Sequence, residues 1–265
     1  MTPAPPGRPC STAPGTGHPH DAADASTPVA HTAADVRHLA GGASSLRELE
    51  ARSTLCRACP RLVAWREEVA VRRRASYDGE DYWGRPVASW GVEHPRVLVM
   101  GLAPAAHGGN RTGRVFTGDR SGDWLFRAMH RAGFANQATS TSADDGLQLT
   151  GAWVTAAVKC APPDNTPLPD ERSRCAPFIE RELTLLTDLV VVVCLGAFAY
   201  EAGCRHLGVR PRPKFGHGVE VPVPQRGLTM LCSFHPSQQN TFTGKLTEAM
   251  LDDIFTRAST LSAQA

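Results

Sequence analysis

The chain lacks a long apolar run. Nowhere in its 265 residues do the roughly 18 uninterrupted apolar positions of a membrane span occur, and the first residues hold neither a charged n-region nor an apolar h-region. No membrane association is expected, and the reading is a cytoplasmic protein whose thiols stay reduced. An excess of either charge is also missing: 28 Lys and Arg against 26 Asp and Glu leave a formal net charge of +2. That excludes a disordered polyelectrolyte and a generic polycation. There is no internal repeat and no Gly-X-Y period, so a collagen-like chain is excluded and one core is the simpler organisation. The longest glycine-rich loop carries neither G-x4-G-K-[ST] nor G-x-G-x-x-G, so it is not a nucleotide-binding loop of either kind.

What is present is a 42% hydrophobic composition, enough for a substantial core. Residues 1–43 are Pro, Ala, Thr, Gly and His with almost no large apolar side chains, which predicts a disordered tail holding Cys10 as an ordinary thiol. Its histidines (His18, His20, His31, His38) are too irregularly spaced for a metal site. The remainder, 44–265, reads as one domain. Leu46, Leu49, Leu55, Leu62, Trp65 and Val69 repeat mostly at spacings of three and four, the pattern of helices. Four short apolar runs at 96–101, 152–158, 189–195 and 228–234 read as buried parallel strands. Helical stretches at 121–132, 170–186, 197–207 and 244–258 alternate with them. The expected fold is α/β, a four-stranded parallel sheet covered on both faces, with a short hairpin or loop around Gly216–Pro224 before the last strand.

Cys56-Arg-Ala-Cys59 is a C-x2-C pair, Cys160 follows the second strand, and Cys175 stands fourteen residues beyond it. Four thiolates suit zinc or an iron–sulfur cluster, and the long second spacing leans toward a cluster. A redox pair or unrelated buried thiols are the alternatives. Cys194, Cys204 and Cys232 lie in or beside strands and a helix, where they read as core residues.

In a sheet of this kind the ligand crevice lies beyond the carboxyl ends of the strands. The three most unusual loops are there: Gly101 to Asp119, Lys159-Cys-Ala-Pro-Pro-Asp-Asn165, and His235-Pro-Ser-Gln-Gln-Asn-Thr-Phe-Thr-Gly-Lys245. The first, with the Arg120 that follows it, offers glycine amides, three arginines (Arg111, Arg114, Arg120), an aromatic ring (Phe116) and a carboxylate (Asp119). That mixture suits a flat polar ring next to phosphates.

These three loops, with Cys56, Cys59, Cys160 and Cys175, resemble the uracil-DNA glycosylases. Within that family the likeness is closest to the cluster-containing, broad-specificity branch often called family 5. The resemblance spans the chain from about Leu46 onward. It implies a three-layer α/β/α sandwich with a central four-stranded parallel sheet, a structural 4Fe–4S cluster on the four cysteines, and DNA containing deaminated bases as the partner of a monomeric enzyme. The implied reaction is hydrolysis of the N-glycosidic bond of a flipped base, leaving an abasic site. Carried over by position, Phe116 would stack on the base beside Gly101, and the loop amides of Leu102 and Ala103 would join His235 as donors to the departing base. Asn165 would hydrogen-bond the base edge or organise the pocket. His235 would donate to the carbonyl oxygen that gains charge, and Asn240 would support its loop. Asp119 is the one acid that the motif brings near the sugar. Leu102, Ala105 and Ala106 stand where uracil-specific relatives carry a polar residue, which implies a broader choice of base: hypoxanthine and xanthine beside uracil.

Two other functions remain open on sequence alone: a nucleic-acid-binding module without chemistry, and a nucleoside hydrolase. Phosphate contact is expected from Arg57, Arg61, Arg66, Arg72, Arg73 and Arg74, or from Arg205, Arg210, Arg212 and Lys214, with Thr243–Lys245 opening the last helix. Gln238 and Gln239 are candidates to hold the gap left by a flipped base.

Overall fold

The computed structural model describes residues 11–264. In chain order the elements are α1 (Ala33–Gly41), α2 (Leu46–Thr54), α3 (Pro60–Arg72), β1 (Trp90–Gly91), β2 (Val97–Gly101), α4 (Gly109–Thr112) and α5 (Arg120–Arg131). They continue as β3 (Ala152–Ala156), α6 (Pro169–Leu185), β4 (Val191–Leu195), α7 (Ala197–His206), β5 (Glu220–Val223), β6 (Leu228–Ser233), α8 (Gln238–Phe242) and α9 (Glu248–Gln264).

The sheet has the order β1-β3-β2-β4-β6-β5. It is six-stranded rather than four-stranded. β3, β2, β4 and β6 pair in parallel, and the two additional strands pair antiparallel at the edges. Each edge strand has a local reason. β1 is two residues long, below any readable alternation, and β5 carries Pro222, whose missing N–H is tolerated only at an edge. The hairpin expected before the last strand is the β5–β6 pair.

Alternate residues of the inner strands enter two cores. Val97, Val99, Val154, Val191, Val193 and Leu231 face α5 and α9 through Leu125, Phe126, Ile254 and Phe255. Leu98, Met100, Val192, Cys194, Met230 and Cys232 face α6 and α7 through Ile179, Leu183, Tyr200 and Cys204. Cys194, Cys204 and Cys232 are thus core residues, as read from the sequence. One polar group penetrates the second face: Lys159 Nζ donates to Glu182 Oε2 (3.1 Å), Ser89 Oγ (2.6 Å) and Thr155 Oγ1 (2.8 Å). Trp153 Nε1 donates to the other carboxylate oxygen (2.6 Å), so the buried pair is fully bonded.

The tail reading is corrected from residue 11 on; Cys10 and the residues before it lie outside the described residues. Thr12 N donates to Trp83 O (3.0 Å), the His18 ring lies 4.5 Å from the Trp83 ring, and Asp21 pairs with Arg85 at 2.7 Å with both side chains buried. Ala30, Val36, Ala40 and Ala43 then pack against Phe178 of α6. Small side chains that meet a large partner far along the chain bury well without forming a visible apolar pattern. The last helix begins at Glu248 rather than Gly244, because α8 takes Gln238–Phe242 and a turn with Gly244 at φ 69° follows. Among the described residues no helix is long and apolar enough to cross a membrane.

Candidate active site

Beyond the carboxyl ends of β2, β4 and β6 lies a cleft of about 620 Å³. Leu102 to Ala105, Val115, Phe116, Asp119 to Ser121, Asn165, Leu195 to Phe198, Phe215, Phe234, His235, Ser237 to Asn240 and Lys245 line it. The three loops singled out from sequence therefore meet here, joined by Leu195 to Phe198 and Phe215, as expected of a parallel sheet.

Phe116 is buried at 8% exposure and held at φ 56°, a conformation that costs a bulky residue about 1–3 kcal/mol and accumulates at functional sites. Its ring lies over the end of β2: a Cβ added to Gly101 would come within 2.6 Å of Phe116 Cζ. Gly101 thus provides the close approach that sets the ring, while Leu102 and Ala103 line the cleft itself. The His235 ring stands 6.1 Å from the Phe116 ring, centroid to centroid, at 34°. Burial holds its pKa down to about 4, so it is neutral at pH 7. Asn240 Nδ2 donates to His235 O (2.8 Å), and Ser237 caps α8 by accepting from Asn240 N (3.4 Å), which together fix the turn carrying the imidazole.

Asp119 is the N-cap of α5, its Oδ1 accepting from Gly122 N (2.9 Å). Its Oδ2 abuts Gly108, where a Cβ would collide with it. Burial raises its pKa. Among the described residues Asp119 is the only acid lining the cleft. Asn165 is exposed at the rim on the turn Pro163–Asn165, with φ 52°. It is therefore at the mouth rather than in the wall formed by Phe116 and His235.

The arginines are redistributed relative to expectation. Arg111 is buried, paired with Glu80, and donates to Gly118 O (3.0 Å); Arg114 is buried against both oxygens of Asp145 (2.8 Å each). Both hold the loop together, and Arg120 is the one of the three that lines the cleft. In the first basic cluster Arg57 pairs with Glu67, Arg61 with Glu171, Arg72 with Glu68 and Arg73 with Asp81, while Arg66 is buried. In the second cluster Arg212 pairs with Glu201, and Arg205, Arg210 and Lys214 are exposed, Lys214 directly preceding the cleft residue Phe215. Gln238 and Gln239 are exposed on the cleft edge. Phe198, Phe215 and Phe234 were not singled out from sequence, whereas Lys245, expected at a phosphate, does line the cleft. Phe198 opens α7 directly after β4, and that position at a strand's carboxyl end was the available signal.

Cys56, Cys59, Cys160 and Cys175 are free and line one small cavity. Cys56 and Cys59 lie in the α2–α3 connection, Cys160 follows β3 and Cys175 is in α6. Among the described residues no group of three or more His, Cys, Asp or Glu side chains stands in the arrangement of a metal-ion site. Burial raises the thiol pKa values, of Cys56 to about 11 and of Cys59 to about 12, with the Cys160 sulfur adding to the effect. The donors around the sulfurs bear on what could occupy the cavity. Arg66 Nη1 donates to Cys160 Sγ (2.9 Å) and Lys159 N to Cys175 Sγ (3.4 Å). Arg66 is 1% exposed, its Nε has no partner, and the nearest carboxylate, Glu67, is 4.0 Å from Nη2 and already bonded to Arg57. A buried cation with so little compensation fits an anionic assembly of thiolates better than four neutral thiols.

The family model of the uracil DNA glycosylase superfamily matches residues 88–258. A type-5 uracil-DNA glycosylase of Mycobacterium tuberculosis is 53% identical over 227 residues, 84% of this chain and 84% of that protein. The type-5 enzyme of Mycobacterium leprae is 53% identical over 84% of this chain and 99% of its own. That of Thermus thermophilus is 50% identical over 79% of this chain and 94% of its own.

Proposed function

Because the chain belongs to the uracil-DNA glycosylase superfamily and is a hydrolase of N-glycosyl bonds acting in DNA repair, we propose how its cleft performs that reaction and on which bases. The cleft receives a deaminated base flipped out of DNA, uracil and also hypoxanthine and xanthine, and leaves an abasic site. The observation that carries this reading is the facing pair of Phe116 and His235 in a cleft with one acid. A base stacked on Phe116 presents its edge to His235.

Bond cleavage develops positive charge on the sugar and negative charge on the base, so catalysis needs donors at the base and negative potential at the sugar. His235, neutral and desolvated, donates an N–H to the carbonyl oxygen of the departing base; Leu102 and Ala103 line the same wall. Asp119 supplies negative potential at the sugar, and its raised pKa makes its carboxylate a stronger base toward the attacking water than a surface carboxylate. Asn165 meets the base edge at the mouth, and Asn240 keeps His235 in place through its carbonyl. Leu102 and Ala105 line the cleft and offer no polar side chain to discriminate one base, which supports a broad choice of substrate, while Ala106 packs away from it against Val69 and Tyr82. Arg120, Lys245 and the exposed Arg205, Arg210 and Lys214 take the phosphates, with Gln238 and Gln239 at the vacated position in the stack.

Cys56, Cys59, Cys160 and Cys175 hold a 4Fe–4S cluster. When bound it supplies a structural cross-link between the α2–α3 connection, β3 and α6, since none of the hydrolytic steps needs an electron. The catalytic unit is 44–265 with the packed segment from residue 11, acting as a cytoplasmic monomer.

The test is incubation with an oligonucleotide carrying one uracil or hypoxanthine, then alkali, with free nucleosides in parallel. Strand cleavage at the damaged position is expected. Intact strands despite DNA binding would favour a binding module, and base release from free nucleosides a nucleoside hydrolase. Purified protein should contain iron and sulfide; zinc without iron would overturn the cluster.

A further inference from the structure

We propose that Arg66 is a positioning residue joining the cysteine centre to the glycine-rich loop of the active site, by its guanidinium on one side and its backbone carbonyl on the other. This rests on the cluster reading above. On the cysteine side, Arg66 Nη1 donates to both Cys160 Sγ (2.9 Å) and Cys56 O (3.1 Å), so the two N–H groups of one guanidinium nitrogen span the C-x2-C loop and the segment after β3. A lysine ammonium ends one bond short of that nitrogen and does not reach both acceptors.

On the loop side, Asn110 Nδ2 donates to Arg66 O (3.2 Å). Asn110 is fully buried in α4, its N–H bonds Ala105 O (3.1 Å), and its own carbonyl accepts from Gly84 N (3.0 Å). Ala105 lines the cleft. Two hydrogen bonds therefore separate the Arg66 backbone from the cleft wall, and a third attaches its side chain to a cluster sulfur. A parallel packing route exists: Ala103, also in the cleft wall, lies in one apolar cluster with Cys59, Cys160 and Cys175.

Two separable consequences follow. A buried positive charge donating to a ligand sulfur stabilises the more negative, reduced form of the centre and holds the ligand in place. The Asn110 link instead sets the wall of the substrate cleft and leaves the sulfurs untouched.

The experiment compares wild type, Arg66→Gln, Arg66→Lys and Asn110→Ala. It reads iron and sulfide content, the rate of bleaching by a chelator, the reduction potential, and KM and kcat on uracil-containing duplex. Arg66→Gln should lose iron about tenfold or more faster, in line with lost outer-shell contacts, and its potential should fall. Arg66→Lys, with charge but a shorter reach, should also bleach faster than wild type. Asn110→Ala should bleach at the wild-type rate while KM rises. Wild-type protein free of iron and sulfide would overturn the cluster itself. Iron-loaded Arg66 variants with wild-type bleaching and potential would overturn only the role of Arg66. Should Arg66→Gln fail to fold, Arg66→Lys decides: bleaching equal to wild type overturns the proposal.

Discussion

Acidification tests the neutral imidazole most directly. The His235 pKa lies near 4 instead of 6.5, with burial as the cause. At about 1.4 kcal/mol per pH unit, charging this ring costs about 3 kcal/mol more than charging one in water, and at pH 7 the neutral form exceeds the charged one by about 10³. The sign follows from the direction. A folded pKa below the unfolded one means that the unfolded chain takes the proton first, so this contribution to stability is complete above pH 6.5 and is lost as pH falls from 6.5 to about 4. The assay is base release from a uracil-containing duplex, followed as kcat/KM, which reports groups of the free enzyme. Through His235 alone it should be level from about pH 8 to about 5 and then fall, by about tenfold per pH unit below about 4. Asp119, whose pKa is raised by burial, adds a limb of the same sign on protonation. Asp119→Asn removes that limb and leaves the one from His235, whereas His235→Ala should cost ~10²–10³ in rate with DNA binding retained. A midpoint near 6.5 in Asp119→Asn would refute the reasoning, as would a His235→Ala enzyme with unimpaired turnover.

Three further outcomes are expected. Gly101→Ala places a methyl 2.6 Å from Phe116 Cζ and must drive the ring into the cleft, so KM on damaged duplex should rise about tenfold or more while the fold survives; unchanged kinetics would remove Phe116 as the stacking surface. Asp119→Ala removes the α5 cap and should cost about 1 kcal/mol of stability by denaturant titration. Asp119→Ser should restore stability but not rate; recovery of both would reduce Asp119 to a cap. Glu182→Ala leaves the Lys159 ammonium buried without its carboxylate and should destabilise by about 3–5 kcal/mol, and a loss below about 1 kcal/mol would mean that water reaches the pair.

The inner strands were legible because burial on both faces writes a continuous apolar run, as in Val97–Met100 and Val191–Leu195. Their carboxyl ends then located the loops carrying Phe116 and His235. β1 and β5 were not legible as edge strands, one too short and one broken by Pro222. The segment from residue 11 was misread because its partners, Trp83, Arg85 and Phe178, are remote in sequence and its own buried residues are mostly alanines. Arg111 and Arg114 illustrate a different limit. An arginine that braces a loop and one that meets a phosphate are the same letter, and only the positions of Glu80 and Asp145 separate them.

The docking of α1 and α2 on α6 also orders events during synthesis. These helices leave the ribosome early, yet the surface they need is finished only when Leu185 has been made. The cysteines are divided across the same interval, with Cys56 and Cys59 emerging long before Cys160 and Cys175. A nascent chain halted before α6 thus carries two unmatched helices and three of the four cysteines, and long-range closure of this kind is slow. Cys175 lies in that same helix, so the helix on which the N-terminal region docks is also the one that completes the wall of the cysteine cavity.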